Sequence, residues 1–96
     1  MSPAERGRKG TLPERKVTIE SEIGLHARPA ATFVQTAAQA PIEVTVAKRG
    51  GEPVNAKSIL SILALDVRQG DTIIIRAEGD GAEELLDRLA AIAAAP

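Results

Sequence analysis

Phe33 is the only aromatic residue in this chain of 96 residues, which also contains no cysteine. A core built from such a sequence has to be assembled from Val, Ile, Leu and Ala, and from the regular elements that line those side chains up on one face. The length suits a single domain. No disulfide framework or thiolate metal site is available, and no apolar run approaches the roughly 18 residues of a membrane helix.

Two hydrophobic periods alternate along the sequence. Lys16-Val17-Thr18-Ile19-Glu20 alternates polar and apolar residues, the pattern of a half-buried strand, and predicts a strand over 15–21. Phe33, Val34, Ala37 and Ala38, with Ala30 one turn earlier, share a helical face and predict a helix over 27–39, ended before Pro41. Ile42, Val44 and Val46 predict a strand over 42–48. Arg49-Gly50-Gly51 is a turn signal into a strand over 52–55. A short helix follows over 58–65. Gln69-Gly70-Asp71 then turns into a strand over 72–78, with Ile73, Ile75 and Ala77 on one face. Asp80 is expected to cap a last helix, with Glu83 completing a capping box and Leu85, Leu86, Leu89 and Ile92 facing the core. The order β-α-β-β-α-β-α, with one polar face on the strands, belongs to an α+β fold: an antiparallel sheet covered on one side by helices.

The chemistry concentrates at the first strand-to-helix junction, Gly24-Leu25-His26-Ala27-Arg28-Pro29-Ala30-Ala31, which holds the only histidine. The first backbone N–H groups of a helix have no intrahelical partner and attract anions. With His26 at the cap, Ala27, Arg28 and Ala30 offer such groups, and Pro29, third in the helix, has none to leave unpaired. The positive helix end and Arg28 both disfavour the imidazolium cation, so His26 is kept as a neutral nucleophile. Magnitude decides the kind of site. A helix N-terminus stabilises an anion by about 0.3–1 kcal/mol when exposed. A closed cage of three charge-assisted hydrogen bonds would supply roughly 5–9 kcal/mol. One arginine and a few amides make a shallow holder, suited to a group that is taken up and then given away.

This segment, with Phe33-Val34 and the later Val54-Asn55-Ala56-Lys57-Ser58-Ile59-Leu60, resembles the HPr family, the histidine-containing phosphocarriers of the bacterial phosphoenolpyruvate-dependent phosphotransferase system. The resemblance runs from about Arg15 to about Ala93. It implies an open-faced sandwich, a four-stranded antiparallel sheet under three helices. It also implies a carrier rather than an enzyme, with no cofactor: His26 accepts a phosphoryl group on Nδ1 from enzyme I and passes it to a sugar-specific IIA domain, and Arg28 stabilises the phosphate. Ser58 matches the serine that an ATP-dependent HPr kinase phosphorylates in many relatives. Relatives without that regulation often keep the same serine. The docking surface implied for enzyme I and IIA domains is Ala27, Arg28, Ile59, Leu60 and Leu63. The alternative is a nitrogen-type or purely regulatory relative using the same histidine. Two departures stand out. Residues 32–40 carry none of the lysines found there in well-known members, and Asp66 replaces a common glycine; aspartate tolerates the left-handed conformation better than most residues.

Other classes fit poorly. A hydrolase with His26 as base lacks a second histidine and an obvious carboxylate to orient it. The net charge of −1 argues against general nucleic-acid binding, and no acidic cluster suggests a metal site. Residues 1–14 read as a disordered tail with Arg6, Arg8 and Lys9, and 15–96 as the folded domain. With no signal-peptide core, a cytoplasmic monomer without membrane insertion is expected.

Overall fold

The computed structural model describes residues 12–21 and 27–95, the side chains of residues 27 and 28 excepted. Seven elements follow one another: β1 (Glu14–Thr18), α1 (Ala27–Ala38), β2 (Glu43–Lys48), β3 (Val54–Asn55), α2 (Ile59–Ala64), β4 (Thr72–Glu78) and α3 (Ala82–Ala94). The strands form one antiparallel sheet in the order β1-β4-β2-β3. β4 therefore lies between β1 and β2, with Val17 opposite Ile73 and Val46 opposite Ile75. Alternation puts Val17, Val44, Val46, Ile73, Ile75 and Ala77 on the inner face, all buried. The helices close over them with Phe33, Ile62, Leu86 and Leu89, making one aliphatic core around the single aromatic ring. The opposite face of the sheet stays open and carries Glu14, Thr18, Thr72, Arg76, Glu43 and Thr45.

The architecture, the element order and all of β4 agree with the expectations from sequence. The differences are local. β1 starts at Glu14 and ends at Thr18, although Ile19 keeps pairing through its N–H to the Asp71 carbonyl at 2.8 Å. β3 is only two residues long. Ala38 faces solvent, and Ile92 is half-buried while Ala93 is buried.

The cap of α3 is a correction. Asp80 does not cap it. The N-cap is Gly81, at φ 83°, with no side-chain cap hydrogen bond. A capping box needs an extended N-cap residue whose side chain reaches the first turn. Here the turn closed by the Ala82 N–H on the Gly79 carbonyl, 3.2 Å, delays the helix past Asp80. Glu83 is engaged elsewhere: its Oε1 accepts a hydrogen bond from Arg15 Nη2 at 2.7 Å, and Arg15 Nε reaches Asp87 at 3.0 Å. The carboxylate expected to close the box instead ties α3 to the edge strand β1.

Candidate functional site

Helix α1 begins at Ala27, immediately after His26 in sequence, and Pro29 is its third residue, as the sequence predicts. His26 itself lies outside the described residues, as do the side chains of Ala27 and Arg28. The helix carries no acidic residue in its first turn, so no carboxylate from α1 competes for the N–H groups there. Its inward side is pinned by Ala30, Phe33 and Ala37, all fully buried. That packing sets the direction of the helix axis and therefore where its first turn lies.

The second motif is built by side chain–backbone hydrogen bonds. Asn55 Oδ1 accepts the Lys57 N–H at 2.9 Å, a local turn of the kind asparagine favours. Ser58 then sits in the extended conformation, φ −111° and ψ 114°, and its Oγ accepts the Ser61 N–H at 3.2 Å. It is the N-cap of α2. Lys57 Nζ donates to the Ala40 carbonyl at 2.7 Å, which fastens the start of α2 beside the C-terminal end of α1. At 1.5 Å per residue, the 12 residues of α1 span about 18 Å. Ser58 is therefore placed toward the far end of α1 from its first turn. Sequence reading missed the part played by Lys57 and Asn55; the Asn55-Ala56-Lys57 spacing is the signal for such a turn.

Helix α2 sorts its apolar residues by face. Ile62 is buried, Ile59 and Leu65 are half-buried against the core, and Leu60 and Leu63 point outward, 77% and 41% exposed. Six residues cannot turn four large aliphatic side chains inward. Two large apolar groups on one short helix form a patch of the kind that marks an interaction surface. Of the candidate docking residues on α2, Leu60 and Leu63 are free to touch a partner and Ile59 is partly committed to the core.

The turn after α2 holds Asp66, the one non-glycine residue with positive φ among the described residues, at 52°. It adopts the conformation expected of the glycine it replaces. Arg68 donates to Asp66 Oδ2 from Nη2 at 2.8 Å, and Lys48 Nζ reaches the Asp66 carbonyl at 3.3 Å. The Arg68 guanidinium holds the Asp66 carboxyl below the usual aspartate range. Asp71 is lowered as well, first by the Arg68 backbone N–H at 2.9 Å and then by Lys48. These contacts tie the turn after α2 to Lys48 at the end of β2.

Among the described residues, no group of three or more His, Cys, Asp or Glu side chains is placed to hold a metal. No described helix is long and apolar enough to cross a membrane.

Comparison with known proteins agrees with this architecture. Residues 13–95 match the family model described as the PTS HPr component phosphorylation site. Phosphocarrier protein HPr of Streptomyces coelicolor is 43% identical over 83 residues, 86% of this chain and 89% of that protein. The crystal structure of an HPr from Bacillus anthracis superposes with a TM-score of 0.79 at 40% identity, covering 88% of this chain and 99% of that one. The Bacillus subtilis protein Crh, whose crystal structure is described as a dimer with a swapping domain, gives a TM-score of 0.65 at 40% identity over 82% of this chain and 90% of that chain. With a family model spanning nearly the whole chain, two relatives of this similarity and the same open-faced sandwich, the chain belongs to the HPr family of the phosphotransferase system.

Proposed function

We propose that this protein carries a phosphoryl group on His26 between enzyme I and a sugar-specific IIA domain. The observation that carries the reading is the position of the only histidine, inside the Gly24–Ala31 motif and directly ahead of α1, in a chain of the HPr family. On loading, the bond from phosphorus to the enzyme I donor atom breaks as one forms to the imidazole Nδ1; on delivery, the Nδ1–phosphorus bond breaks as one forms to the acceptor atom of the IIA domain. Arg28 and the N–H groups of Ala27, Arg28 and Ala30 receive the phosphoryl oxygens. The absence of an acidic residue from the first turn favours a dianion there. Leu60 and Leu63 supply the apolar part of the docking surface, and Ser58, on the C-terminal side of α1, is the site for a regulatory phosphate. Such a phosphate acts on docking, by adding negative charge beside the apolar patch.

The working form is the monomer. Its edge strand is tied into its own chain through Arg15 to Glu83 and Asp87; a sedimentation mass of two chains would overturn this.

The test is incubation with phosphoenolpyruvate and enzyme I. The expected result is one acid-labile phosphate per chain, absent from His26→Ala, which stays folded. Normal labelling of His26→Ala sinks the assignment. A second step adds a IIA domain: onward transfer marks a sugar carrier, whereas retention of the phosphate favours the regulatory alternative. For the regulatory site, an ATP-dependent HPr kinase is expected to label the wild type and not Ser58→Ala.

A further inference from the structure

Lys48 and Lys57 both end on main-chain carbonyls, at opposite ends of α2. Past its C-terminal end, Lys48 Nζ donates to the Asp66 carbonyl at 3.3 Å and ties that end to β2. At its start, Lys57 Nζ donates to the Ala40 carbonyl at 2.7 Å, in a part-buried position. The second bond is the shorter, and it is the one that reaches α1. Helix α1 has no basic residue in its last turn. Its last carbonyls form the negative end of the helix dipole and lack intrahelical donors. Ala40 lies just past Ala38, and the next residue, Pro41, has no N–H to offer. The cation is supplied by another element, and a charge-assisted hydrogen bond is stronger than a neutral one.

The lysine has a fixed base. Asn55 Oδ1 accepts the Lys57 N–H at 2.9 Å. The preceding Ala56 is fully buried, with its N–H on the Val44 carbonyl at 3.0 Å, and the Ser58 N–H reaches the Asn55 carbonyl at 3.2 Å. Helix α2, by contrast, has six residues, too few to be stable alone, and Ile62 is its one buried residue. Its orientation is therefore set by what it is tied to. We propose that Lys57 is a positioning residue for docking: through the Ala40 carbonyl it fixes the exposed Leu60 and Leu63 in angle and spacing relative to α1. The inference rests on the reading that a partner grips α2 and the first turn of α1 together. Such a partner makes both contacts at full strength only when the two helices keep one relation, so losing the tie weakens docking. The chemistry at His26 is left alone, since Lys57 holds the opposite end of α1 from its first turn.

Lys57→Met keeps the unbranched stem and removes the donor, whereas Lys57→Arg keeps a donor. Residual dipolar couplings of the backbone amides report the direction of α2 against α1 in the free protein, without enzyme I. In Lys57→Met the couplings of α2 should change or shrink while those of β1, β4 and α3 match the wild type, and Lys57→Arg should restore them in part. Unchanged α2 couplings in Lys57→Met overturn the inference, whatever enzyme I does. In phosphorylation by enzyme I, KM for Lys57→Met should rise about two- to tenfold, the ratio equivalent to the net worth of one hydrogen bond. Its kcat should stay at the wild-type value, with KM for Lys57→Arg in between. Arg15→Gln loosens the fold elsewhere, through Glu83 and Asp87, and should move neither constant. A fall in kcat at unchanged KM, or an equal rise in KM for Arg15→Gln, also overturns the inference. A wild type that takes no phosphate sinks the carrier reading, and the couplings still decide whether Lys57 sets the relation of the two helices.

Discussion

Ser58 Oγ accepts the backbone N–H of Ser61 at 3.2 Å, so the hydroxyl expected to receive a phosphate also starts α2. The two roles separate by substitution. Ser58→Ala should lower stability by about 1 kcal/mol. Ser58→Asp should keep the cap and leave stability near wild type, while raising the Michaelis constant of enzyme I, since its charge lies beside the Leu60 and Leu63 patch and has to be desolvated on docking. An unchanged constant would remove α2 from the docking surface.

Arg28→Ala should fold as the wild type does and slow transfer to and from His26. The expected loss is roughly tenfold or more, short of the 100- to 1,000-fold typical of a buried oxyanion donor, because this site is shallow. Arg28→Lys should recover only part of the rate, having no planar fork. Rapid-quench kinetics equal to wild type in the alanine variant would mean that backbone amides suffice.

Gly79 and Ile42 are packed against one another at the end of the sheet. Gly79 sits at φ 134°, and a Cβ there would collide with Ile42 Cγ2 and stand 3.0 Å from Ile42 Cβ. Gly79→Ala should therefore cost about 2–4 kcal/mol through backbone strain and overpacking. For a domain this small that is a fall in melting temperature of at least roughly 8 °C. Combining it with Ile42→Ala should cost less than the two single changes added together. Additive losses would show that the clash is relieved elsewhere.

Acid should weaken the fold through its ion pairs. Glu14 is lowered by its hydrogen bond from Arg76, Asp66 by Arg68, and Asp71 by the Arg68 N–H and Lys48. A carboxyl lowered in the folded state binds protons more readily in the unfolded chain. Its contribution is therefore complete above the ordinary values of 4.5 for Glu14 and 3.8 for the aspartates, and is lost as pH falls through the depressed folded values. Urea midpoints measured downward from pH 6 should fall across that window, and by less in Arg68→Gln, which lacks the partner of Asp66. All these groups are solvent-accessible, so the effect is modest and shrinks in high salt.

Much of this protein is local information, and that part was open to reading. The alternation of Ile73, Ile75 and Ala77 marks β4 to the residue, and the period of Ala30, Phe33 and Ala37 marks the buried side of α1, because side-chain direction follows from backbone geometry alone. The position of His26 ahead of α1, the cap at Ser58 and the left-handed turn at Asp66 are also local. Each depends on one residue type and its near neighbours.

Contacts between distant segments decided the rest. Asp80 and Glu83 have the spacing of a capping box, yet Glu83 is taken by Arg15, 68 residues away in sequence, and the helix starts from Gly81. The apolar run of α2 does not say which leucines face outward; packing of Ile62 into the shared core leaves Leu60 and Leu63 on the surface. Lys57 is an ordinary surface lysine in sequence, and only the meeting of α1 with α2 turns it into the tie to the Ala40 carbonyl. The opposition of Glu43 and Glu78 likewise exists only once β2 and β4 are paired in register. Local propensity selects each element, but which faces remain exposed depends on how many others compete for the same small aliphatic core.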